Sequence, residues 1–245
     1  MNQNGLRGTF NLNSGIYPPL GTVIPKGQIH RKMTKEQATK IYMDSCHEVA
    51  VHGLTHPFLE QLPMPLAMWE LIEDRRNLEE QFHTIIRGMA YPYGTYNDAV
   101  IDCLKKSGLV YARTVISSHN FKIPTDWLRL EPTCHHNDVQ LMPLIQEFVE
   151  ESPKWEPWLF YLWGHSYEFE RDNNWHVIEQ FASFTGDKKD IWYATNIQIY
   201  DYVDAYKRLQ FSIDQSQVYN PTAVILFFQK DTTVYCIHPG EKINI

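Results

Sequence analysis

The sequence predicts a parallel α/β protein, either a barrel or an open doubly wound sheet, with a small β appendage at its carboxyl end. Three observations predict it. Short apolar runs, polar or turn-rich loops and helical patterns alternate along most of the chain at the spacing of βαβ units. The run "WLFYLWG" (158–164) is apolar on both phases, as expected for a strand covered on both faces. After residue 210 the alternation stops, and "AVILFFQKDTTVYCIHPGEKI" reads as a β-hairpin turning near Lys230 and Asp231.

The elements follow in order. "GTFNLNSG" (8–15) is a strand, and "TKEQATKIYMDS" (34–45) a helix opening at Thr34. "EVAVHG" (48–53) is the next strand. "MWELIEDRRNLEEQFH" (68–83) carries apolar residues at 68, 69, 71, 72, 78 and 82 among charges, the pattern of an amphipathic helix. "IRGMAYPYG" gives a strand and turn, and "NDAVIDCLKKSG" a helix whose Gly108 suits a C-cap. The alternation continues through the strand "LVYARTV", the helix around "LMPLIQEFVEE", the strand "PWLFYLWGH", the helix around "WHVIEQFASF", the short strand "IWYAT" and the helix "NIQIYDYVDAYKRL". The body is thus expected over 1–210 and the appendage over 211–245.

Composition narrows the function. Hydrophobic residues make up 43% and aromatics 13%, the balance of an ordinary globular core rather than a disordered chain. A net charge of −7 argues against nucleic acid or an anionic membrane as the main partner. No apolar run approaches the roughly eighteen residues of a membrane span. The start, "MNQNGLRGTFNLNSG", has no basic flank followed by an apolar stretch, so no signal peptide is visible. Cys46, Cys103, Cys134 and Cys236 are widely spaced and form no C-x-x-C. They read as reduced thiols, and a cytoplasmic location is the expectation.

In either architecture, chemistry gathers at the carboxyl ends of parallel strands. "HGLTHP", "YPYG", "RTV" and "GHSYEF" stand there. His52 and His56, framed by Gly53 and Pro57, read either as two imidazoles for one metal or as two surface histidines. The Pro-Tyr-Gly turn of "YPYG" fixes the backbone and can aim an N–H at a developing oxyanion; otherwise it is an ordinary loop. His165, after an apolar strand, is placed as a general acid in a partly dry pocket, against the plainer reading of a satisfied core histidine. A carboxylate partner is expected for it, Glu168 or a nearby aspartate. His135 and His136 are adjacent and should point in different directions, giving one ligand at most. Trp155, Trp158, Trp163, Trp175 and Trp192 could stack sugars, but core packing is the preferred reading for most of them.

"TFNLNSG", "HGLTHP", "YPYG" and "LWGH", in that order, resemble the polysaccharide deacetylase family, carbohydrate esterase family four, over roughly residues 5 to 205. The resemblance implies a distorted parallel (β/α) barrel of about seven strands and metal-assisted removal of acetyl groups from N-acetylated sugars. It implies His52 and His56 as ligands of zinc, with cobalt or nickel as alternatives, and the Tyr93 amide as oxyanion donor. His165 becomes the acid that protonates the leaving amine, and Tyr91, Trp163 and Tyr167 become substrate contacts. Three departures stand against this. The family's first motif, a strand ending in paired aspartates, has no counterpart: seven residues precede Gly8 and none is acidic. The barrel is therefore expected to be open at the first strand, with the base and third ligand missing. Ala90 stands where the family has arginine, a charge that Arg113 can supply from the next strand end. "GHSYEF" extends the last motif with Ser166, Tyr167 and Glu168, and Glu168 is the first candidate for a substitute base if the chain turns over. Three functions remain: an impaired amide-bond hydrolase, a non-catalytic carbohydrate-binding or scaffold protein, or a metal-dependent hydrolase of another class on the same scaffold.

Overall fold

Four short strands lie side by side in chain order: β1 (Thr9–Leu12), β2 (Glu48–Val51), β3 (Gly88–Ala90) and β4 (Tyr111–Arg113). All three pairings are parallel, with Thr9 beside Glu48, Val51 beside Met89 and Gly88 beside Tyr111. The series continues past β4. Leu130 bridges Arg113 in parallel, and four residues on, β5 (Cys134–His135) pairs in parallel with β6 (Leu162–Trp163). The protein is an α/β fold with a parallel sheet and helices between its strands, as expected. The structure, a computed structural model, describes residues 1–153 and 155–245. They divide into two compact units, Met1–Thr195 and Asn196–Ile245.

In the first unit, helices α1 (Lys35–Tyr42), α2 (Met64–Phe82) and α3 (Asp98–Lys106) connect the first four strands. Thr34 caps α1 through a reciprocal box, its hydroxyl accepting from Gln37 N at 3.3 Å and its own N–H donating to Gln37 Oε1 at 3.0 Å. Thr34→Ala should lower stability by about 1 kcal/mol, measurable by urea unfolding. Helix α2 buries Ala67, Leu71, Asp74, Leu78 and Phe82 along one stripe at helical spacing. Its apolar members pack with Val49, Val51 and Met89 of the strands and with Val100 and Leu104 of α3. Asn97 caps α3, and Gly108, at φ 73°, follows its end.

Helix α4 (Leu141–Glu150) follows β5, and α5 (Ser166–Arg171) and α6 (Trp175–Thr185) follow β6. Leu141, Leu144 and Ile145 of α4 join Phe121 and Cys134 in a second core cluster. Two expectations fail here. The strand foreseen in "PWLFYLWGH" has only two residues in a ladder, and residues 158–163 are half-buried rather than covered on both faces. Residues 191–195 form no strand: the Tyr193 hydroxyl donates to Thr185 O at 2.5 Å and accepts from Lys188 N at 2.8 Å, tying this segment to the end of α6.

The second unit holds α7 (Asn196–Lys207) and the strands β7 (Gln210–Phe211), β8 (Gln217–Tyr219), β9 (Leu226–Lys230), β10 (Thr233–Ile237) and β11 (Lys242–Asn244). Strands β9 and β10 form the expected hairpin, with Asp231 at φ 54° in its turn. Strands β11, β8 and β7 make a separate antiparallel sheet. Ala205 of α7 packs with Val218, Leu226, Phe228 and Ile237. That packing places α7 with the C-terminal strands, so the division falls at 195/196 rather than at 210/211. All four cysteines are free. Among the described residues, no helix is long and apolar enough to cross a membrane.

Candidate functional site

The segment after β2 is held from below by two carboxylates of α2. Asp74, fully buried, accepts from His52 N at 3.0 Å and from Ser14 N and Oγ at 2.7 Å each. Burial pushes its carboxyl up to about 6, and those three donors pull in the opposite direction. Glu70 accepts from Thr55 N at 2.8 Å and Thr55 Oγ1 at 2.7 Å. The Asn13 amide donates to the carbonyls of His52 (2.6 Å) and Gly53 (2.7 Å). Gly53 at φ 74° and His56 at φ 62° both take left-handed backbone, which turns the chain back sharply between the two histidines. Neither carboxylate's role was legible in "ELIEDRRNLEE", which reads as a solvated face. The available signal was that Asp74 shares the stripe of Leu71 and Leu78.

The turn brings the His52 and His56 rings together, centroids 4.7 Å apart and edge to face. His52 Nδ1 lies 2.8 Å from Ala90 O. A carbonyl only accepts, so Nδ1 carries the proton and Nε2 presents its lone pair. Burial pushes His52 down to about 3, the Ala90 carbonyl opposes that shift, and His56, Arg113 and His165 add to it. His56 is also lowered, first by burial and then by Lys32. The neutral His52 ring suits a metal. Yet among the described residues, no third His, Cys, Asp or Glu joins this pair in a cluster tight enough to hold an ion. Two imidazoles are in place, and a complete donor set is not.

Tyr93, in left-handed backbone at φ 58°, sets its ring 4.5 Å from His56 and stacks on Phe58 at 3.9 Å. The platform is open, since Tyr93 is 54% exposed and Phe58 39%. Tyr91 does not share it. Its ring is buried and its hydroxyl donates to Leu128 O at 2.8 Å, which leaves it no face for a substrate and corrects that expectation. Arg113 is buried, donates to Thr114 O at 3.1 Å and lies over the Trp163 ring at 4.4 Å. Trp155 (95%), Trp175 (45%) and Trp192 (59%) are exposed, so core packing was the wrong preference for these three. Trp158 packs with Phe121 and Phe148 as preferred.

His165 lies within electrostatic reach of both His52 and His56. Its N–H donates to Glu168 Oε2 at 3.1 Å, and its Nδ1 stands 3.3 Å from the same oxygen. The expected carboxylate partner is therefore Glu168. The expected dry pocket is absent, because the His165 side chain is 44% exposed where the chain leaves β6 for α5. Tyr167 sets its ring, tilted, 5.4 Å from His165 and 4.3 Å from His30.

His135 and His136 correct the sequence reading, which had adjacent side chains diverge. Their ring centroids are 4.2 Å apart. His135 Nε2 lies 3.2 Å and His136 Nε2 3.6 Å from Glu168 Oε2. Two-residue β5 ends at His135, and the chain turns there, so strand alternation does not carry through to His136. Burial lowers both rings, His136 to about 4.

The chain is thus a parallel α/β protein with histidines gathered at its strand ends. Residues 1–112 match the family model described as polysaccharide deacetylase, so this part of the chain is similar to that family. No curated protein matches it. Among solved structures it is similar to a deacetylase of Streptococcus pyogenes in complex with acetate, at 19% identity and TM-score 0.39, covering 50% of each chain. It is similar also to a Bacillus anthracis carbohydrate esterase family 4 pseudoenzyme, at 15% identity and TM-score 0.46, covering 81% of this chain and 57% of that one. A family 4 carbohydrate esterase from Streptomyces lividans with acetate gives 18% identity and TM-score 0.42, over 74% and 75%. The chain thus spans half the length of the first and 57% of the second.

Proposed function

We propose that the protein acts on an N-acetylated carbohydrate as a deacetylase-type hydrolase, through the strand ends that carry His52, His56, Tyr93 and His165. The observation that carries this reading is the His52–His56 pair, held in a fixed turn with His52 Nε2 presenting its lone pair. The match to polysaccharide deacetylases supports it. In the reaction, water adds to the acetamide carbonyl carbon, the C–N bond breaks, and the leaving nitrogen takes a proton. His165 supplies that proton, and Glu168, 3.3 Å from Nδ1, sets its tautomer and ring angle. The Tyr93 amide faces the developing oxyanion, and the Arg113 charge stabilises it from the neighbouring strand. Trp163 and Tyr167 offer ring faces to the sugar. Zinc, cobalt or nickel suits the two imidazoles, and a carboxylate to complete the set is what this pair lacks.

One observation favours the second reading, carbohydrate binding without turnover: among the described residues, no carboxylate clusters with His52 and His56 to take the proton from water. A missing base costs on the order of a hundredfold or more. The test is acetate release from N-acetylglucosamine oligomers, with oligomer binding followed in parallel. Slow release is expected, with His165→Ala lowering kcat by a further hundredfold or so while leaving KM within a few-fold. Binding without any acetate release would establish the second reading. Neither binding nor release would overturn both.

A further inference from the structure

We infer that His135, His136 and Glu168 form a divalent-metal site, of the two-imidazole, one-carboxylate kind that zinc takes, separate from the His52–His56 pair. The inference does not rest on the deacetylase reading, since a non-catalytic carbohydrate binder would hold the ion equally well.

The distances fit. Ligand atoms ~2.0–2.2 Å from a tetrahedral ion stand ~3.3–3.6 Å from one another. Glu168 Oε2 lies 3.2 Å from His135 Nε2 and 3.6 Å from His136 Nε2. One donor atom from each residue lies within 4.8 Å of the others, so closing onto an ion needs only a small rotation of the half-buried His135 ring. Three protein donors leave a fourth position open, as in catalytic rather than structural zinc sites.

The second observation is His136 itself. Its side chain is 2% exposed, and neither ring nitrogen has a hydrogen-bond partner. A buried imidazole with both nitrogens unanswered is costly, and an ion between Nε2 and Glu168 answers the first of the two. The ring is also held by its surroundings. It packs on Phe169 at 4.2 Å, and the backbone N–H of His136 donates to Trp163 O at 3.0 Å. A Cβ on residue 164 would stand 1.8 Å from His136 Nδ1, so Gly164 leaves the space that this ring fills.

The surroundings complete the assignment. Trp163 lies edge-on to His135 at 4.6 Å and, with Phe169, walls the cluster with apolar surface. Arg171 reaches to 3.7 Å of Glu168 Oε1, the oxygen turned away from the histidines, and orients the carboxylate. Loading makes Glu168 Oε2 share its lone pairs between the ion and His165, whose N–H donates to it at 3.1 Å and whose Nδ1 stands 3.3 Å away, and one bond at His135 is lost. His135 Nδ1 accepts from Asn137 N at 3.1 Å, which keeps the ring proton on Nε2. An ion at Nε2 moves that proton to Nδ1, and the exposed Asn137 N–H turns to water.

The test uses the full chain, zinc chloride as titrant in calorimetry, and diffraction at the zinc edge. One zinc per chain is expected, with its anomalous peak between His135, His136 and Glu168. Glu168→Gln and His136→Ala should each weaken binding about a hundredfold or more, since loss of an outer-sphere partner alone costs 10–100-fold. His135→Ala gives the same reading from a ring at the edge of the cluster, should the buried His136→Ala fail to fold. His52→Ala and His56→Ala should leave this zinc in place. The inference is overturned if the wild-type chain binds no zinc, if the peak lies elsewhere, or if Glu168→Gln and His135→Ala bind as the wild type does. None of these outcomes depends on acetate release.

Discussion

Asp74→Ala will destabilise the first unit by about 3–6 kcal/mol and release the turn that carries His52. The carboxylate is the acceptor for two backbone N–H groups, of Ser14 and His52, and for the Ser14 hydroxyl. Each buried donor left without an acceptor costs about 1–3 kcal/mol. Ser14 Oγ also accepts from Asn77 Nδ2 at 3.2 Å, but that bond gives the hydroxyl proton no acceptor, so all three donors share the loss. Asp74→Asn retains one acceptor oxygen and should fall between the two. The effect depends on pH, with a definite sign. Burial raises the folded carboxyl to about 6, above the ordinary aspartate value of 3.8. The folded state therefore holds this proton more tightly, and the stabilisation is fully present below pH ~4 and lost as pH rises through ~6. The deficit of Asp74→Ala should then be larger at pH 4 than at pH 7.5 in urea unfolding. An equal deficit at both values would show that the carboxyl titrates normally. A deficit under 1 kcal/mol would show that water replaces it.

Gly88→Ala will be of comparable severity, through sterics alone. A Cβ at position 88 would lie 1.9 Å from Tyr111 Cζ and 2.1 Å from Cε1. The Tyr111 ring cannot step aside: it is fully buried, and its hydroxyl donates to Glu48 Oε1 at 2.6 Å while Thr9 Oγ1 donates to Glu48 Oε2 at 2.8 Å. Relief must come from the backbone of β3, whose Ala90 carbonyl orients His52. Overpacking of this kind costs roughly 1–3 kcal/mol or more, and here the upper end is expected. That corresponds to a fall in Tm of about 6–12 °C. The double variant Gly88→Ala, Tyr111→Val should recover part of the loss by making room. A single variant that melts with the wild type would show that the ring has space to move.

Much of the fold was legible because its signals are local. The alternation of short apolar runs with 3.6-periodic segments located β1 to β4 and most helices, since each pattern is written in neighbouring residues. Thr34 marked the start of α1, and the polar tip at Lys230 and Asp231 marked the hairpin of the second unit. The histidines at strand ends were legible for the same reason: a strand's carboxyl end is a position in the sequence.

What only the tertiary structure decided concerns groups brought together across long stretches of chain. That Asp74 serves as an anchor rather than a solvated charge depends on which residues α2 turns toward β1 and β2, and an acidic residue on a helix reads the same either way. That His135 and His136 both meet Glu168 depends on β5 ending where it does and on Gly164 leaving room for a ring, with about thirty residues between donor and acceptor. The side of the division that α7 joins was settled by where Ala205 finds a core. Local patterns set which elements form; burial and hydrogen-bond satisfaction, which act between distant segments, set what each polar residue does.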